Sequence, residues 1–150
     1  VPEPDPPDGD YTVPIGEAKV LLEGDDVTLI AYSRMTGEAQ KAVAQLAESG
    51  ISCEIIDLRS LAPLDMETVT ASVEKTGRAV VVCEDCITGG VSAEVATQIM
   101  ERCFDYLHAP IRRVAAADTP VPCSDILEKA ALPDATKIAQ AVKDLLVEYA

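Results

Sequence analysis

The sequence has 150 residues, of which 48% are hydrophobic and only 3% aromatic, and its 12 basic and 26 acidic residues give a net charge of −14. This length suits one domain, and a core with so few aromatic residues must be built from Val, Ile, Leu and Ala. That composition is typical of a parallel sheet covered by helices. The negative charge repels nucleic acid and anionic membranes, so we expect neither as a partner.

Residues 1–10, VPEPDPPDGD, contain four prolines and four acids and no apolar periodicity. Such a segment is typical of an extended linker, and we predict an acidic proline-rich linker or arm at 1–10 and a folded domain at 11–150. A connector at this place indicates either that more chain precedes Val1 or that a partner covers the arm.

The remaining chain alternates between strand and helix patterns. Apolar runs predict strands at 18–22, 27–32, 51–58, 79–83 and 111–115. Helical spacing predicts helices between Thr36 and Gly50, from Asp65 to about Lys75, from Gly90 to about Asp105, near 125–130 and after Asp134. The turn between the first two strands is short, so it permits only an antiparallel or sharply redirected neighbour.

The stretch AVVVCEDCITGGVSAE, residues 79–94, organises this layout. Its first five residues are apolar without alternation, which indicates a strand buried on both faces. The strand then enters a glycine turn that opens a helix. Because ligands and partner groups collect at the carboxyl ends of parallel strands, this turn lies where a site would be expected.

Two readings compete for the turn and for the cysteines. Thr88-Gly89-Gly90 could hold a phosphate on free backbone N–H groups, but the spacing fits no dinucleotide or Walker loop, so we favour a structural turn at Gly89 and Gly90. Cys83-x-x-Cys86 could bind metal or act in redox chemistry, but no second pair has ligand spacing. We favour a core Cys83 beside a loop Cys86, and a reducing compartment.

No catalytic constellation can be assembled from these residues. Asp57 could be a phosphoacceptor at a strand end, but the acid pair of a receiver domain is replaced by Ser33-Arg34. His108 is the sole histidine and lies in a loop, where it is either solvated or in contact with a partner. We therefore predict no catalytic, cofactor-binding or metal-binding residue in this chain.

A set of blocks nevertheless resembles the C-terminal domain of the beta subunit of thiamine-diphosphate-dependent 2-oxo acid dehydrogenases of the pyruvate dehydrogenase type. The resembling blocks are TVPIGEA (12–18), DVTLIAYSRM (26–35), EIIDLRSLAPLD (54–65), SVEKTGRAVVVCE (72–84), TGGVSAE (88–94), FDYLHAPIRRV (104–114) and DTPVPCSDILE (118–128). The resemblance implies a three-layer α/β/α sandwich with a five-stranded mixed sheet, four strands parallel and one antiparallel at an edge. Transketolase and deoxyxylulose phosphate synthase fit these blocks less well.

The resemblance also implies the function and the cofactors. The full enzyme would decarboxylate pyruvate oxidatively and transfer the acetyl group to lipoyl groups, with acetoin or branched-chain 2-oxo acids as alternative substrates. The diphosphate of thiamine diphosphate and magnesium would be held by the alpha subunit, and the glutamate that activates the thiazolium would lie in the N-terminal half of the beta subunit. This domain alone would bind neither the cofactor nor the metal. We expect a cytoplasmic enzyme, or one of the mitochondrial matrix or plastid stroma in a eukaryote.

Partners follow from the same resemblance. They are the alpha subunit, the N-terminal half of the beta subunit, a second beta subunit across a two-fold axis, and the subunit-binding domain of the lipoyl acyltransferase core. We predict that this last domain docks around Asp105, His108 and Ala150, although many relatives carry Asp where this chain has His108. A free-standing, non-catalytic acidic module that binds a basic protein is the alternative of another class.

Overall fold

The structure is a computed structural model that describes residues 11–149, so the predicted linker at 1–10 and Ala150 lie outside the described residues. The strands are β1 (Lys19–Leu22), β2 (Val27–Ala31), β3 (Cys53–Asp57), β4 (Ala79–Cys86) and β5 (Arg112–Ala116). The helices are α1 (Arg34–Ala47), α2 (Met66–Thr76), α3 (Val91–Cys103), α4 (Asp125–Ala131) and α5 (Ala135–Glu148), with a 3₁₀ turn at Phe104–Tyr106. None of these helices has the length and apolar character needed to cross a membrane.

The strands form one five-stranded sheet in the order β1-β3-β2-β4-β5. Neighbours among β3, β2, β4 and β5 pair in parallel, and β1 pairs antiparallel with β3 at one edge. The predicted mixed sheet with four parallel strands and one antiparallel edge strand is therefore confirmed.

Helices cover both faces of the sheet, which confirms the predicted three layers. Helices α1 and α5 pack on one face, where Leu46 and Ile138 are fully buried against Leu29. Helices α2 and α3 pack on the other face, where Val73 and Ile99 are fully buried with Val81. Alternate residues of each central strand enter different layers, because successive side chains of a strand point to opposite faces.

Strand β1 runs antiparallel, as the short turn predicted, but it lies beside β3 and not beside β2. The link between β1 and β2 crosses the start of β3, and the backbone amides of Asp25 and Asp26 both donate to the Ser52 carbonyl, at 3.2 and 2.8 Å. A Cβ on Gly24 would lie 2.2 Å from the Cys53 carbonyl carbon, so this crossing requires glycine.

Strand β4 is longer than predicted. It was expected to end at Cys83, but it continues to Cys86, which pairs with Ala116 after a register shift that follows Val82. Two acids that follow the apolar run, Glu84 and Asp85, lie inside this irregular part. A bulge of this kind re-aims side chains at the end of a strand, and it brings Asp85 towards α3.

A buried polar network joins α2 to β2 and β3. The hydroxyl oxygen of Thr28 lies 2.7 Å from that of Ser72 and 2.8 Å from that of Thr76. Lys75 forms an ion pair with Glu54, whose side chain is only 3% exposed. Burial raises the pKa of Glu54, but hydrogen bonds from Lys75 and Ser72 outweigh it and leave the pKa below its ordinary value.

Replacing the buried Glu54 carboxylate by an amide should make the free energy of unfolding less dependent on pH in the acidic range. Because the pKa of Glu54 is lowered in the fold, its contribution is present above the unfolded-state value of about 4.3 and is lost as pH falls through the folded value. Glu54→Gln should cost about 1–2 kcal/mol at pH 7, and its free energy of unfolding should fall less than that of the parent from about pH 5 to pH 3.

Urea titrations at several pH values measure both effects. The exposed Glu101→Gln on α3 is the matched control and should follow the parent. Parallel pH profiles for Glu54→Gln and the parent would contradict the assignment.

Candidate partner-binding site

An exposed groove of about 570 Å³ lies at the end of the sheet where the parallel strands β4 and β5 begin. One wall comes from the end of α3 and the loop that follows it, and the other from the end of α5. The groove is lined by Met100, Phe104, Asp105, Leu107, His108, Ala109, Pro110 and Tyr149. The Phe104 side chain is 69% exposed, which leaves a large apolar ring uncovered in an otherwise acidic chain.

The first wall is a short exposed segment between two buried residues. Cys103 is fully buried at the end of α3, and Ala109 is buried just before β5. Between them the chain makes the 3₁₀ turn, in which the Leu107 amide donates to the Phe104 carbonyl at 3.3 Å. Of the residues between them, Leu107 is half-buried and packs against the core, whereas Phe104, Asp105, Tyr106 and His108 are exposed.

The second wall is the last turn of α5. Leu145 is fully buried, and the Tyr149 amide donates to its carbonyl at 3.2 Å. The Arg78 guanidinium donates to the Tyr149 carbonyl at 3.3 Å, and Arg112 forms an ion pair with Glu148. Positive groups are favourable at the carboxyl end of a helix, so the two arginines hold this wall in place.

The glycine turn lies at the opposite end of the sheet, where the parallel strands end. Gly89 has φ 75°, and the space around its would-be Cβ is open. Gly90 has an ordinary φ of −75°, but a Cβ on it would lie 2.3 Å from the Cys86 carbonyl oxygen and 2.5 Å from Oδ2 of Asp85. One glycine is needed for conformation and the other for close approach.

The close approach at Gly90 brings a carboxylate to the start of α3. Oδ2 of Asp85 accepts a hydrogen bond from the Val91 amide at 2.5 Å. The same carboxylate and burial both raise the pKa of Tyr32, with burial the larger influence, so the phenol stays neutral. An internal anion therefore occupies the helix start that the phosphate-binding alternative would use, which favours the structural reading of the turn.

Asp118 connects the loop after β5 to the glycine turn through hydrogen bonds with Thr88. Its carboxylate accepts hydrogen bonds from the Thr88 hydroxyl at 2.6 Å and from the Thr88 amide at 3.0 Å. These hydrogen bonds keep the pKa of Asp118 below its ordinary value. The Arg113 guanidinium adds a bond to the Ile87 carbonyl at 2.8 Å, so the two loops form one unit.

The cysteines are all free thiols. Cys83 is fully buried and Cys86 is exposed, and burial raises the pKa of the Cys83 thiol to about 11. Within residues 11–149 no three His, Cys, Asp or Glu side chains gather as a metal site would require. The Asp57 carboxylate accepts a hydrogen bond at 3.2 Å from the amide of Arg59, a non-glycine residue with φ 56°. Asp57 thus stabilises a strained turn.

The sequence profile of the family described as transketolase, C-terminal domain, matches residues 16–138. The chain belongs to this family. A solved structure described as a split gene transketolase, an inactive beta4 tetramer, matches with a TM-score of 0.80 at 29% identity, over 100% of this chain and 47% of that one. A transketolase from Pichia stipitis, at 13% identity and a TM-score of 0.57, shares the fold.

Curated relatives in the family include beta subunits of 2-oxo acid dehydrogenases. The mitochondrial pyruvate dehydrogenase E1 component subunit beta-1 of Arabidopsis thaliana is 48% identical over 91% of this chain and 38% of its own length. The corresponding beta subunit of Staphylococcus aureus is 46% identical over 93% of this chain and 43% of its own. The predicted resemblance is confirmed, and the chain spans about two fifths of the length of these relatives.

Of the predicted docking residues, Asp105 and His108 line the groove of this transketolase C-terminal domain, and Ala150 lies outside the described residues. Their docking role stays a prediction. Phe104 and Tyr149 were not singled out, although both line the same groove. Phe104 could have been noticed, because the apolar spacing of α3 ends at Cys103 and leaves an aromatic residue without a core position. For Tyr149 the sequence carries no comparable signal.

Substitutions at the two glycines should separate conformation from close approach. Gly89→Ala should cost about 1 kcal/mol because φ is positive, and Gly89→Asn less, since Asn tolerates this region. Gly90→Ala should cost more, about 2–3 kcal/mol, because its Cβ meets a backbone carbonyl oxygen that cannot move aside. Chemical denaturation gives these free energies of unfolding.

Gly37→Ala in α1 is the control for these variants. A Cβ at Gly37 meets nothing within 4 Å, so this change should stabilise the domain slightly. If Gly90→Ala were as stable as the parent, the close approach to Asp85 and Cys86 would be wrong.

Proposed function

We propose that this chain is the C-terminal assembly and partner-docking domain of the beta subunit of a thiamine-diphosphate-dependent pyruvate dehydrogenase. The full enzyme would decarboxylate pyruvate oxidatively and pass the acetyl group to lipoyl groups. The observation that carries the proposal is the exposed groove at Phe104, Asp105 and His108, in a chain that is 48% identical over 136 residues to such a beta subunit.

The residues of this domain do not fit thiamine diphosphate or magnesium. The start of α3, where a diphosphate would find free backbone N–H groups, holds the Asp85 carboxylate, which would repel it. Of the two carboxylates nearby, Asp85 accepts a hydrogen bond from the Val91 amide through Oδ2, and Asp118 accepts hydrogen bonds from the amide and the hydroxyl of Thr88. We therefore assign the cofactor and the metal to the alpha subunit and the N-terminal half of the beta subunit.

The exposed groove is where we expect a partner protein to bind. We assign the groove to the subunit-binding domain of the lipoyl acyltransferase core, taken to be basic, because a net charge of −14 favours encounter with a basic partner. The alpha subunit, the N-terminal half and a second beta subunit across a two-fold axis are the further partners. The compartment would be the cytoplasm, or the mitochondrial matrix or plastid stroma in a eukaryote.

A branched-chain 2-oxo acid is the second candidate substrate, because the chain is about equally similar to beta subunits named for the two kinds of acid. Within Dictyostelium discoideum, the 2-oxoisovalerate dehydrogenase beta subunit is 46% identical to this chain and the pyruvate dehydrogenase beta subunit is 44% identical. Assays of the full enzyme with pyruvate, 3-methyl-2-oxobutanoate and acetoin decide among the three. The reading frame upstream of Val1 tests the alternative of a non-catalytic acidic module. For a dehydrogenase beta subunit, that frame would encode the N-terminal, pyrimidine-binding half with the glutamate that activates the thiazolium. For a non-catalytic module it would not.

Residues 1–150 alone should bind no thiamine diphosphate. The Asp85 carboxylate blocks the one helix start at the glycine turn, and no other group in residues 11–149 is proposed to hold the cofactor. Isothermal titration calorimetry with thiamine diphosphate and magnesium should give no heat of binding with the isolated chain, and a clear one with the alpha and beta subunits assembled. Micromolar binding to the isolated chain would contradict this assignment.

A charge change at the groove should alter docking. His108→Asp adds an acid facing a basic partner and should tighten binding of the subunit-binding domain by about two- to fivefold, and Asp105→Asn should weaken it by a similar factor. Gln40→Glu, on the exposed side of α1, adds the same charge away from the groove and is the matched control. Titration calorimetry on the assembled enzyme measures all four affinities. Equal affinities would place the docking surface elsewhere.

A further inference from the structure

The two-residue turn between α2 and β4, Gly77-Arg78, contacts both walls of the groove, although neither residue lines it. Its glycine meets the loop after α3, and its arginine meets the end of α5. One short segment of backbone therefore bridges two elements that are distant in sequence.

The contact with the first wall is made by backbone and by close approach. The His108 amide donates to the Gly77 carbonyl at 2.8 Å. A Cβ on Gly77 would lie 2.3 Å from Nδ1 of His108, so the imidazole ring rests directly on the glycine Cα. Gly77 also has φ 68° as the cap of α2, with its amide bonded to the Val73 carbonyl at 2.8 Å. The position of the His108 ring is thus fixed to the end of α2.

The contact with the second wall is made by charge. Nη2 of Arg78 donates to the Tyr149 carbonyl at 3.3 Å, and a cation at the carboxyl end of a helix complements its dipole. The next strand supports the same helix end, since Arg112 pairs with Glu148. Nε of Arg78 is buried without a hydrogen-bond partner among residues 11–149, so the guanidinium acts on α5 through a single nitrogen.

We propose that Gly77 and Arg78 are positioning residues that set the spacing between the two walls of the groove, and so its fit to the basic partner domain. This inference rests on the proposed function, because it requires that the groove be a docking site. It assigns Gly77 and Arg78 no direct contact with the partner.

Positioning and simple electrostatics predict opposite results for one variant. Arg78→Met removes a positive charge beside a surface that meets a basic partner, so electrostatics alone would strengthen binding. Loss of the contact with Tyr149 would instead let the end of α5 move and weaken binding. We expect weakening by about two- to fivefold, the upper part of the range of an exposed charged contact.

The experiment is calorimetric titration of the subunit-binding domain against the full-length beta subunit assembled with its alpha subunit. Arg78→Lys retains one charged nitrogen and should recover most of the affinity, since Arg78 uses a single nitrogen in the contact. Arg34→Met removes the same charge at the opposite end of the sheet, where α1 begins after β2, and should bind as the wild type does or slightly better. Gly77→Ala displaces the His108 ring without any change of charge and should also weaken binding.

A spectroscopic readout separates positioning from loss of stability. The NMR amide signal of Tyr149 should shift in Arg78→Met and return towards the wild-type position in Arg78→Lys. Binding by Arg78→Met and Gly77→Ala at wild-type affinity would overturn the inference, as would stronger binding by Arg78→Met. Failure of the wild type itself to bind would instead overturn the proposed function, and the Tyr149 signal would still report whether Arg78 holds the helix end.

Discussion

Complete burial of the central strands is the constraint from which the rest of this domain follows. All five residues of β2 are buried, and they alternate between two faces, so the strand requires a helical layer on each side. Thr28 is the polar exception, and it is accommodated only because Ser72 and Thr76 of α2 present hydroxyl groups to it. With the inner faces of the helices packed on the sheet, the turns gather at the two ends of the sheet, where the parallel strands begin and where they end.

The local parts of this arrangement could be predicted from the sequence, and the non-local parts could not. The order of strands and helices follows from apolar spacing, and the cap of α2 follows from Asp65, which accepts the Thr68 amide at 3.1 Å. The neighbour of β1 is different, because pairing with β3 depends on a crossing over Ser52 and Cys53. The sequence does not predict the extension of β4 to Cys86, because Glu84 and Asp85 follow the apolar run and acids are uncommon in strands.

The groove shows the same division. Asp105 could be named only through the family resemblance, since nothing in its spacing marks it. His108 stands out as the sole histidine in a loop, but only the resemblance links it to this docking surface. The groove also needs Tyr149 from the end of the chain and the Gly77-Arg78 turn from its middle, and these meet only after the sheet has formed. Phe104 is the one member that physical reasoning from the sequence could reach, because an aromatic residue beyond the last core position of α3 has no interior to enter.

The other end of the sheet, where the parallel strands end, is occupied by the chain's own carboxylates. At the start of α3 the chain supplies its own anion, Asp85, and locks the neighbouring loop with Asp118, so the place where related sheets receive ligands is filled from within. This end of the sheet therefore contributes contacts within the domain, and the start of α3 offers no open site for an external anion. The identities to two dehydrogenase beta subunits of one organism, 44% and 46%, are nearly equal although the two differ in the acid they are named for, so the similarity of this domain does not distinguish the two substrates.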